Sequence, residues 1–197
     1  MSYILNEMPK QINKKLVEKC SKAETATIGH IRNMGFADRR IQNVLNNNLT
    51  ISGTAVTLAI PGQDSTLLHH VIQFLRPGDI LCIDRLGDDK HACLGGGVAA
   101  AIVASGCVGV ILDGPCTDVP EIEEYKLPVW CKGTSPITTR IYDNGGSFNV
   151  PISVGGAVIN PGDLVLADFS GVLIMSPSDA EADVDWALAK MSVEFDG

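Results

Sequence analysis

The stretch from Gly95 to Ile122, GGGVAAAIVASGCVGVILDGPCTDVPEI, combines a bare backbone with two acidic side chains, Asp113 and Asp118. Glycines at a helix start let a ligand approach backbone N–H groups that lack an intrahelical partner, and such groups attract anions. Residues Gly95 to Val98 are therefore predicted to bind a carboxylate or a phosphate. An equally strong alternative is that the three glycines only permit tight packing of this helix against a sheet.

The two aspartates allow metal chemistry. Asp113 ends the apolar strand VGVILD, which places it at the carboxyl edge of the sheet, where open α/β sheets bind ligands. Asp118 is a hard-oxygen ligand of the kind that Mg²⁺ or Mn²⁺ takes, with water and substrate completing the coordination. The competing interpretation is a capping box, because Glu121 follows Asp118 by three positions and Pro120 is tolerated in a first turn.

The histidines do not have the spacing of a zinc site. His69 and His70 are adjacent, His30 and His91 are isolated, and no HExxH pattern occurs. A GxGxxG turn after a strand, a Walker A sequence and a GxSxG elbow are also missing from the sequence. Dinucleotide binding, P-loop chemistry and the serine-hydrolase mechanism are therefore not expected.

The six cysteines never occur as CxxC, and several lie in apolar runs such as DILCID. This usage is typical of reduced, buried thiols. Cys116 differs, because it lies between two aspartates in a predicted loop, and it is a candidate reactive thiol.

Length and composition predict one globular domain. The chain has 197 residues, of which 45% are hydrophobic and 19% are charged. A net charge of -8 argues against a nucleic-acid partner, since binding to phosphates requires clustered basic residues. The start, MSYILNEMPKQINKK, lacks the apolar core of a signal peptide, and no apolar run is long enough to span a membrane. We expect a cytoplasmic protein that does not bind membranes.

Hydrophobic periodicity predicts an α/β fold. The segment from Met1 to about Asn33 has helical spacing, with Ser21 or Thr25 available to cap a second helix. The run LTISGTAVTLAI has strand character, with an interruption expected at Gly53.

A β-α-β crossover is predicted in the middle of the chain. A helix, STLLHHVIQFL, capped by Asp64 or Ser65, is followed by a strand in RPGDILCID, a helix from Gly96 to Ser105 and a strand from Val108 to Leu112. Short strands separated by Gly, Pro and Asn fill most of the remainder. A last helix is predicted with Ser178 as its N-cap.

Five ordered pieces of the chain carry a family resemblance: GTAVTLAIPGQDSTLLHH, RPGDILCID, LGGGVAAAIVASGCVGVILDGPCTDVPEI, LPVWCKGTSP and NVPISVGGAVINPGDLVLADFSGVLIMSP. From about Ser52 to Pro177 the sequence resembles the RraA-like proteins (regulator of ribonuclease E activity A), which include class II 4-hydroxy-4-methyl-2-oxoglutarate aldolases. The resemblance implies a swivelling, phosphohistidine-domain-like β/β/α domain that assembles into trimers or hexamers with active sites between subunits. The chain is then one RraA-like domain, with a helical segment at 1–48, a β/β/α core at 49–177 and a C-terminal helix at 178–197.

The resemblance also implies a site. Aldolases of this family bind the pyruvyl group of a 2-oxo acid through backbone amides at a helix start and through an arginine, and the next aspartate holds a divalent ion. The arginine–aspartate pair maps to Thr117 and Asp118, so Asp118 is the expected catalytic metal ligand for Mg²⁺ or Mn²⁺. The substrate-binding positions are Gly95, Gly96, Gly97, Val98 and Thr117.

Two positions depart from the family pattern. Thr117 replaces the arginine, and a hydroxyl cannot make the bidentate charged contact of a guanidinium. Gly96 stands where many relatives carry an acidic residue. Arg85, Arg140 and Lys132 are candidates to supply the missing positive charge.

The expected function is that of a divalent-metal-dependent carbon–carbon lyase acting on a small 2-oxo acid. Aldol cleavage and decarboxylation of an oxaloacetate-like acid share a pyruvate enolate, which a metal ion stabilises. The alternative is a non-catalytic RraA-like regulatory or binding protein, or a family enzyme whose substrate has changed because position 117 is threonine.

Overall fold

A nine-stranded mixed β-sheet lies at the centre of the protein in a computed structural model that describes residues 2–194. The strands within these residues are β1 Tyr3–Leu5, β2 Gln42–Asn43, β3 Ile51–Ala59, β4 Asp79–Asp84, β5 Gly109–Leu112, β6 Val129–Cys131, β7 Gly146–Phe148, β8 Ile152–Val154, β9 Ala157–Ile159, β10 Leu164–Asp168 and β11 Gly171–Met175. The helices are α1 Lys14–Cys20, α2 Thr25–Ile28, α3 Thr66–Val71, α4 Gly96–Ala104, α5 Val119–Glu124 and α6 Pro177–Glu194, and a short 3₁₀ turn, Ile72–Phe74, extends α3.

Four parallel strands, β3 to β6, determine where the segments that follow them leave the sheet. Each of these strands pairs in parallel with the next, so β4, α4 and β5 form the predicted β-α-β crossover. Strands β10 and β7 pair antiparallel with the first and the last part of β3, and β1 runs parallel to β7. Because the parallel strands share a direction, the segments leading to α4 and α5 leave the sheet at the same edge.

Side chains of the parallel strands point alternately to the two faces of the sheet, and both faces are buried. In β4, Leu81 and Ile83 pack with the core beneath helices α3 to α5, whereas Ile80 and Cys82 pack with the hairpin formed by β8 and β9. Burial of one such aliphatic side chain contributes roughly 1.5–3 kcal/mol. The layers are therefore a hairpin, a sheet and a set of helices. The mixed α/β class is confirmed, and the specific likeness to phosphohistidine domains stays a prediction.

A third cluster joins the two ends of the described chain. Residues of α1, α2 and α6 pack on one face of β10 and β11, with Ile28, Leu166, Leu173 and Val184 fully or almost fully buried. Segments close to both termini thus belong to the same packed unit. No helix within residues 2–194 has the length and apolar character needed to cross a lipid bilayer.

The N-terminal segment is less helical than predicted. The described part of the predicted helical segment, residues 2–48, contains two short helices, and strands β1 and β2 also fall within it. The predicted capping residues are wrong: Ser21 follows the end of α1, and Glu24 occupies the N-cap position of α2. Thr25 lies inside α2, where its N–H and its hydroxyl each donate a 2.7 Å hydrogen bond to the buried Asp168 carboxylate.

Two local predictions elsewhere are also wrong. Strand β3 continues through Gly53 without interruption, and a Cβ at this position would lie 2.6 Å from the Gly78 carbonyl oxygen. Glycine here permits a close backbone approach and does not break the strand. Helix α6 begins at Pro177, so Ser178 is already helical, and it is the Ser176 hydroxyl that accepts the Asp179 N–H over 3.2 Å.

Candidate functional site

The start of helix α4 presents backbone N–H groups that the helix itself leaves unpaired. Gly95 is the N-cap residue, and the first intrahelical bond runs from the Ala99 N–H to the Gly95 carbonyl over 2.9 Å. The N–H groups of Gly96, Gly97 and Val98 therefore precede the helical ladder. Within residues 2–194, the last two of these groups have no acceptor. They are available to an anion, and the helix dipole favours one there.

Asp118 directs its carboxylate toward α4 and away from α5, the helix that it precedes. Its backbone is left-handed, with φ 54 and ψ 42, and its side chain makes no capping bond to α5. Oδ2 accepts the Gly96 N–H over 3.1 Å, and Oδ1 accepts the Thr117 hydroxyl over 3.2 Å. The capping-box interpretation of Asp118 is wrong. This exposed carboxylate instead lies beside the unpaired amides.

Each of the three glycines has its own steric environment. A Cβ at Gly95 would lie 2.6 Å from Asp118 Oδ2, and a Cβ at Gly96 would overlap the Glu121 carboxylate. A Cβ at Gly97, by contrast, would meet nothing within 4 Å. The first two glycines thus make room for acidic side chains, and the third faces open space. The alternative prediction, that the glycines only permit tight packing of the helix against the sheet, does not fit these surroundings.

Glu121 is a site residue that the sequence analysis missed. It belongs to the first turn of α5, and the capping-box pattern predicted that it would reach back to its own helix. Its carboxylate lies beside Gly96 of α4. An acidic group therefore occupies the space next to position 96, although the residue there is glycine.

One cleft, with a volume of about 390 Å³, is lined by all of the predicted site residues. These are Gly95, Gly96, Gly97, Val98, Thr117 and Asp118. Arg140, one of the three candidate cations, also lines the cleft, whereas the sequence did not indicate other lining residues such as Ser65, His69 and Ile141. Amides, a carboxylate, an imidazole and a guanidinium thus share one cleft at the carboxyl edge of the parallel strands.

Comparison with known proteins identifies the family. The sequence pattern of the RraA-like family (Aldolase/RraA) matches residues 20–174. The chain belongs to the RraA-like family. The match covers strands β3 to β10 and both helices of the cleft, so the resemblance seen in the sequence is confirmed.

Two relatives of this RraA-like chain carry the name "Putative 4-hydroxy-4-methyl-2-oxoglutarate aldolase". The protein of Halalkalibacterium halodurans is 32% identical over 137 residues, which are 70% of this chain and 65% of that protein. The chain therefore spans slightly less than two thirds of that relative. A protein of Arabidopsis thaliana with the same name and the number 3 is 30% identical over 158 residues, which are 80% of this chain and 92% of that protein.

A solved structure shows the same fold. RraAS2 of Streptomyces coelicolor, described as an unusual member of the RNase ES inhibitor RraA protein family, superposes with a TM-score of 0.79. The likeness covers 96% of each chain at 28% sequence identity.

Arg140 is the candidate cation that lines the cleft of this RraA-like chain. Its backbone is fixed on both sides, because its N–H donates to the Gln63 carbonyl over 2.8 Å and its carbonyl accepts the Ser65 N–H over 2.9 Å. Its Nη1 donates to the Thr138 hydroxyl over 2.7 Å and to the carbonyls of Thr138 and Thr139 over 3.2 and 3.0 Å. The guanidinium is exposed and has only neutral acceptors among the described residues.

The other two candidate cations are paired elsewhere. Arg85 is fully buried and forms an ion pair with Asp88 over 3.0 Å. Lys132 forms an ion pair with Asp113, whose second carboxylate oxygen accepts the Gly155 N–H over 2.9 Å. Asp113 therefore holds the loop between β8 and β9, and it does not line the cleft, although its position after β5 had suggested a ligand-binding role.

Asp64 fixes the segment that carries Arg140. Its buried carboxylate accepts the N–H groups of Thr66, Tyr142 and Asn144 and the Thr66 hydroxyl, over 2.6 to 3.0 Å. Burial by itself raises the pKa of Asp64, but these hydrogen bonds stabilise the carboxylate and lower its pKa to about 2. A charged Asp64 thus ties the start of α3 to residues 140–144.

Cys116, the candidate reactive thiol between the two aspartates, lies inside the protein. It is fully buried, and its Sγ lies 3.6 Å from the Sγ of Cys131. The hydrogen bond between these thiols and the burial of Cys116 raise the pKa of Cys116. The general prediction of buried, unpaired cysteines holds for the cysteines at 20, 82, 93, 107, 116 and 131.

Proposed function

We propose that this RraA-like protein is a divalent-metal-dependent carbon–carbon lyase acting on a small 2-oxo acid, either as an aldolase or as an oxaloacetate-type decarboxylase. The observation that carries the proposal is the placement of the Asp118 carboxylate beside the unpaired amides of Gly97 and Val98 in one cleft. An acidic metal ligand and an anion-binding helix start are the two parts that such a reaction requires. The names of the relatives in Halalkalibacterium and Arabidopsis support the same class of reaction.

The acidic groups at the site fit a hard divalent cation. Among residues 2–194, Asp118 Oδ1 has only the Thr117 hydroxyl as a partner, and Glu121 places a second carboxylate beside Gly96 at the α4 start. Residues 2–194 contain no cluster of three or more His, Cys, Asp or Glu side chains arranged to hold a metal ion. Two exposed carboxylates with space for water suit Mg²⁺ or Mn²⁺, which retain several waters when protein-bound. When bound, such an ion supplies Lewis acidity to the keto and carboxylate oxygens of a 2-oxo acid.

The chain itself binds and orients the substrate. The N–H groups of Gly97 and Val98 donate to the substrate carboxylate, and the exposed guanidinium of Arg140 adds the positive charge that Thr117 lacks. The Thr117 hydroxyl contributes a weaker polar contact. These donors are fixed before binding, because α4 and the Asp64-anchored segment hold them, so they stabilise negative charge that develops on the substrate at low cost.

His69 is the imidazole that lines the cleft among the described residues, and it is exposed there. An imidazole at this place can deliver a proton to the carbon that becomes the methyl group of pyruvate. We assign proton transfer to His69 or to a water that it orients.

We further propose that the active form is a trimer or hexamer in the cytoplasm. The cleft is open on a single chain, and the exposed apolar side chains of Ile141 and Tyr142 lie on the segment that borders it. A neighbouring subunit that covers these side chains would exclude water from the cleft.

A second candidate function is regulation without catalysis. The match to Streptomyces coelicolor RraAS2 over 96% of both chains favours it, because that protein belongs to a family of RNase ES inhibitors. The two functions differ in their need for Asp118: a lyase requires this carboxylate, and a binding protein does not.

The decisive experiment measures pyruvate release with a lactate dehydrogenase coupled assay. The purified protein with Mg²⁺ or Mn²⁺ is expected to release pyruvate from 4-hydroxy-4-methyl-2-oxoglutarate or from oxaloacetate, and Asp118→Asn is expected to abolish the release. Glu124→Gln is the matched control, because Glu124 is exposed on α5, outside the cleft lining. Absence of turnover over a panel of 2-oxo acids with metal supplied would refute the lyase and leave the regulatory function.

A further inference from the structure

Two buried thiols, Cys116 and Cys131, lie side by side next to the cleft. Their Sγ atoms are 3.6 Å apart, and the two residues are 0% and 1% exposed. Among residues 2–194 no other two cysteine sulfurs are in hydrogen-bond contact. The proposed reaction makes no use of either thiol.

The backbone holds these cysteines on neighbouring extended segments. The Cys116 N–H donates to the Gly133 carbonyl over 3.0 Å, and the Ser135 N–H donates to the Cys116 carbonyl over 2.9 Å. The Lys132 N–H donates to the Gly114 carbonyl over 2.9 Å, so the pairing extends on both sides of the thiols. These bonds hold the two segments close together, and the 3.6 Å between the sulfurs is a separation from which a disulfide can form with a small backbone adjustment. The sulfurs would have to approach by about 1.5 Å to reach a bonded distance.

The two thiols differ in access. Cys131 lines a surface cleft of about 720 Å³ whose charged residues are Arg39, Arg40, Lys132 and Asp89. Cys131 is therefore the thiol that meets a small oxidant first, and Cys116 is placed to resolve the product.

We propose that Cys116 and Cys131 are a modification site at which a peroxide-class oxidant forms a reversible intramolecular disulfide. The Cys131 thiolate attacks one peroxide oxygen, the O–O bond breaks, and a sulfenic acid and hydroxide form. The Cys116 sulfur then attacks the sulfenic sulfur, the S–O bond breaks and water leaves. In total, two thiols are oxidised to one disulfide and one hydrogen peroxide is reduced to two waters. A dithiol reductant reverses the reaction by thiol–disulfide exchange.

The disulfide would change the geometry of the candidate site through a shift of the backbone. Cys116 directly precedes Thr117, whose N–H donates to the Leu94 carbonyl over 2.9 Å, and Asp118 follows. Closing the gap between the sulfurs would shift this segment relative to α4, where Asp118 Oδ2 accepts the Gly96 N–H. Displacing the groups that orient a metal ligand typically costs about ten- to a hundredfold in metal affinity. This consequence rests on the proposed function, whereas the formation of the disulfide does not.

The test uses the full-length, folded, reduced protein treated with hydrogen peroxide at stoichiometric amounts. We expect a loss of two hydrogen atoms by intact mass, a single Cys116–Cys131 link by peptide mapping, and full recovery of the dithiol with tris(2-carboxyethyl)phosphine. Cys131→Ala and Cys116→Ala should each prevent the mass change. Cys20→Ala, a buried cysteine in a different cluster, should leave it intact. Circular dichroism before and after oxidation establishes that the folded chain reacts.

Two results would overturn the proposal. One is that the folded wild-type protein keeps both thiols free under conditions that oxidise a dithiol peptide of the same concentration. The other is that a different pair or an intermolecular bond forms first. Mn²⁺ titration of the reduced and oxidised protein separates the two proposals: if reduced protein binds no Mn²⁺, the metal function fails while the mapped disulfide stands. Equal Mn²⁺ affinity in both forms would instead refute the coupling to the site.

Discussion

Gly97→Ala tests whether the glycine run serves ligand binding or packing. A Cβ at Gly97 meets nothing within 4 Å, and the residue lies in the first turn of α4. Alanine should therefore stabilise the protein by about 0.4–1 kcal/mol, because it restricts the unfolded chain without strain in the folded one. For a domain of this size, that corresponds to a rise in Tm of about 1–4 °C.

The same methyl group should weaken ligand binding. Gly97 lines the cleft and its Cβ would meet open space, so we expect the methyl group to restrict the approach of an anion to the Gly97 and Val98 N–H groups. Loss of one close amide contact of about 1.4 kcal/mol corresponds to a tenfold weaker affinity. Stability and binding are thus expected to change in opposite directions, which a packing role cannot produce.

The assay combines thermal unfolding followed by circular dichroism with calorimetric titration of Mn²⁺ and then oxalate, a stable mimic of the pyruvate enolate. Ala101→Gly is the matched control, because Ala101 is exposed in the same helix and lies outside the cleft lining, so it should lower Tm and leave binding unchanged. Gly95→Ala should lower both quantities, since its Cβ would lie 2.6 Å from Asp118 Oδ2. A Gly97→Ala variant that binds oxalate as tightly as the wild type would refute the assignment of these amides.

Three other predictions concern the acidic and basic groups of the site. Asp118→Asn should weaken Mn²⁺ binding by at least about tenfold, and Glu121→Gln by a smaller factor, as measured by calorimetry, because in the proposed site Asp118 is a direct ligand and Glu121 an outer one. Arg140→Gln should weaken oxalate binding in the presence of Mn²⁺ by about tenfold, and Thr117→Arg in the same chain should restore it; absence of both effects would place the substrate carboxylate elsewhere. Because the pKa of Asp64 is lowered to about 2 from an unfolded value near 4, its contribution of about 2 kcal/mol is present above pH 4 and is lost as the pH falls toward 2. Urea unfolding from pH 5 to pH 2.5 should show this loss in the wild type, and Asp64→Asn should be less stable at pH 5 and lack that part of the acid dependence.

Local sequence patterns predicted the core of the fold because each of them acts over a few residues. The Pro-Gly-Asp turns at 77–79 and 161–163 come directly before apolar runs, and both runs are buried strands. The helix that follows the glycine run begins and ends within one residue of its predicted bounds for the same reason. Hydrophobic periodicity and the turn residues at the ends of each run were sufficient to predict these elements.

The direction in which a polar side chain points was not predictable in this way. Asp118 and Glu121 have the spacing of a capping box, but the left-handed backbone at Asp118 turns the carboxylate toward a helix that begins 22 positions earlier in the sequence. Arg140 could not be told from any other exposed cation, since its place in the cleft depends on pairing with residues 63–65. The Asp-x-x-Glu spacing itself was the only available signal for Glu121.

The four hydrogen bonds to the buried Asp64 carboxylate also bear on the stage of folding at which the cleft can bind an anionic ligand. They connect groups up to 80 positions apart in the chain, so we expect Arg140 to reach the cleft only after the intervening strands have paired. A fragment ending near residue 130 would hold Asp118 and the α4 amides without their guanidinium neighbour. Competence for an anionic ligand should therefore appear as a late, single event during refolding, and ligand binding would report completion of the native state.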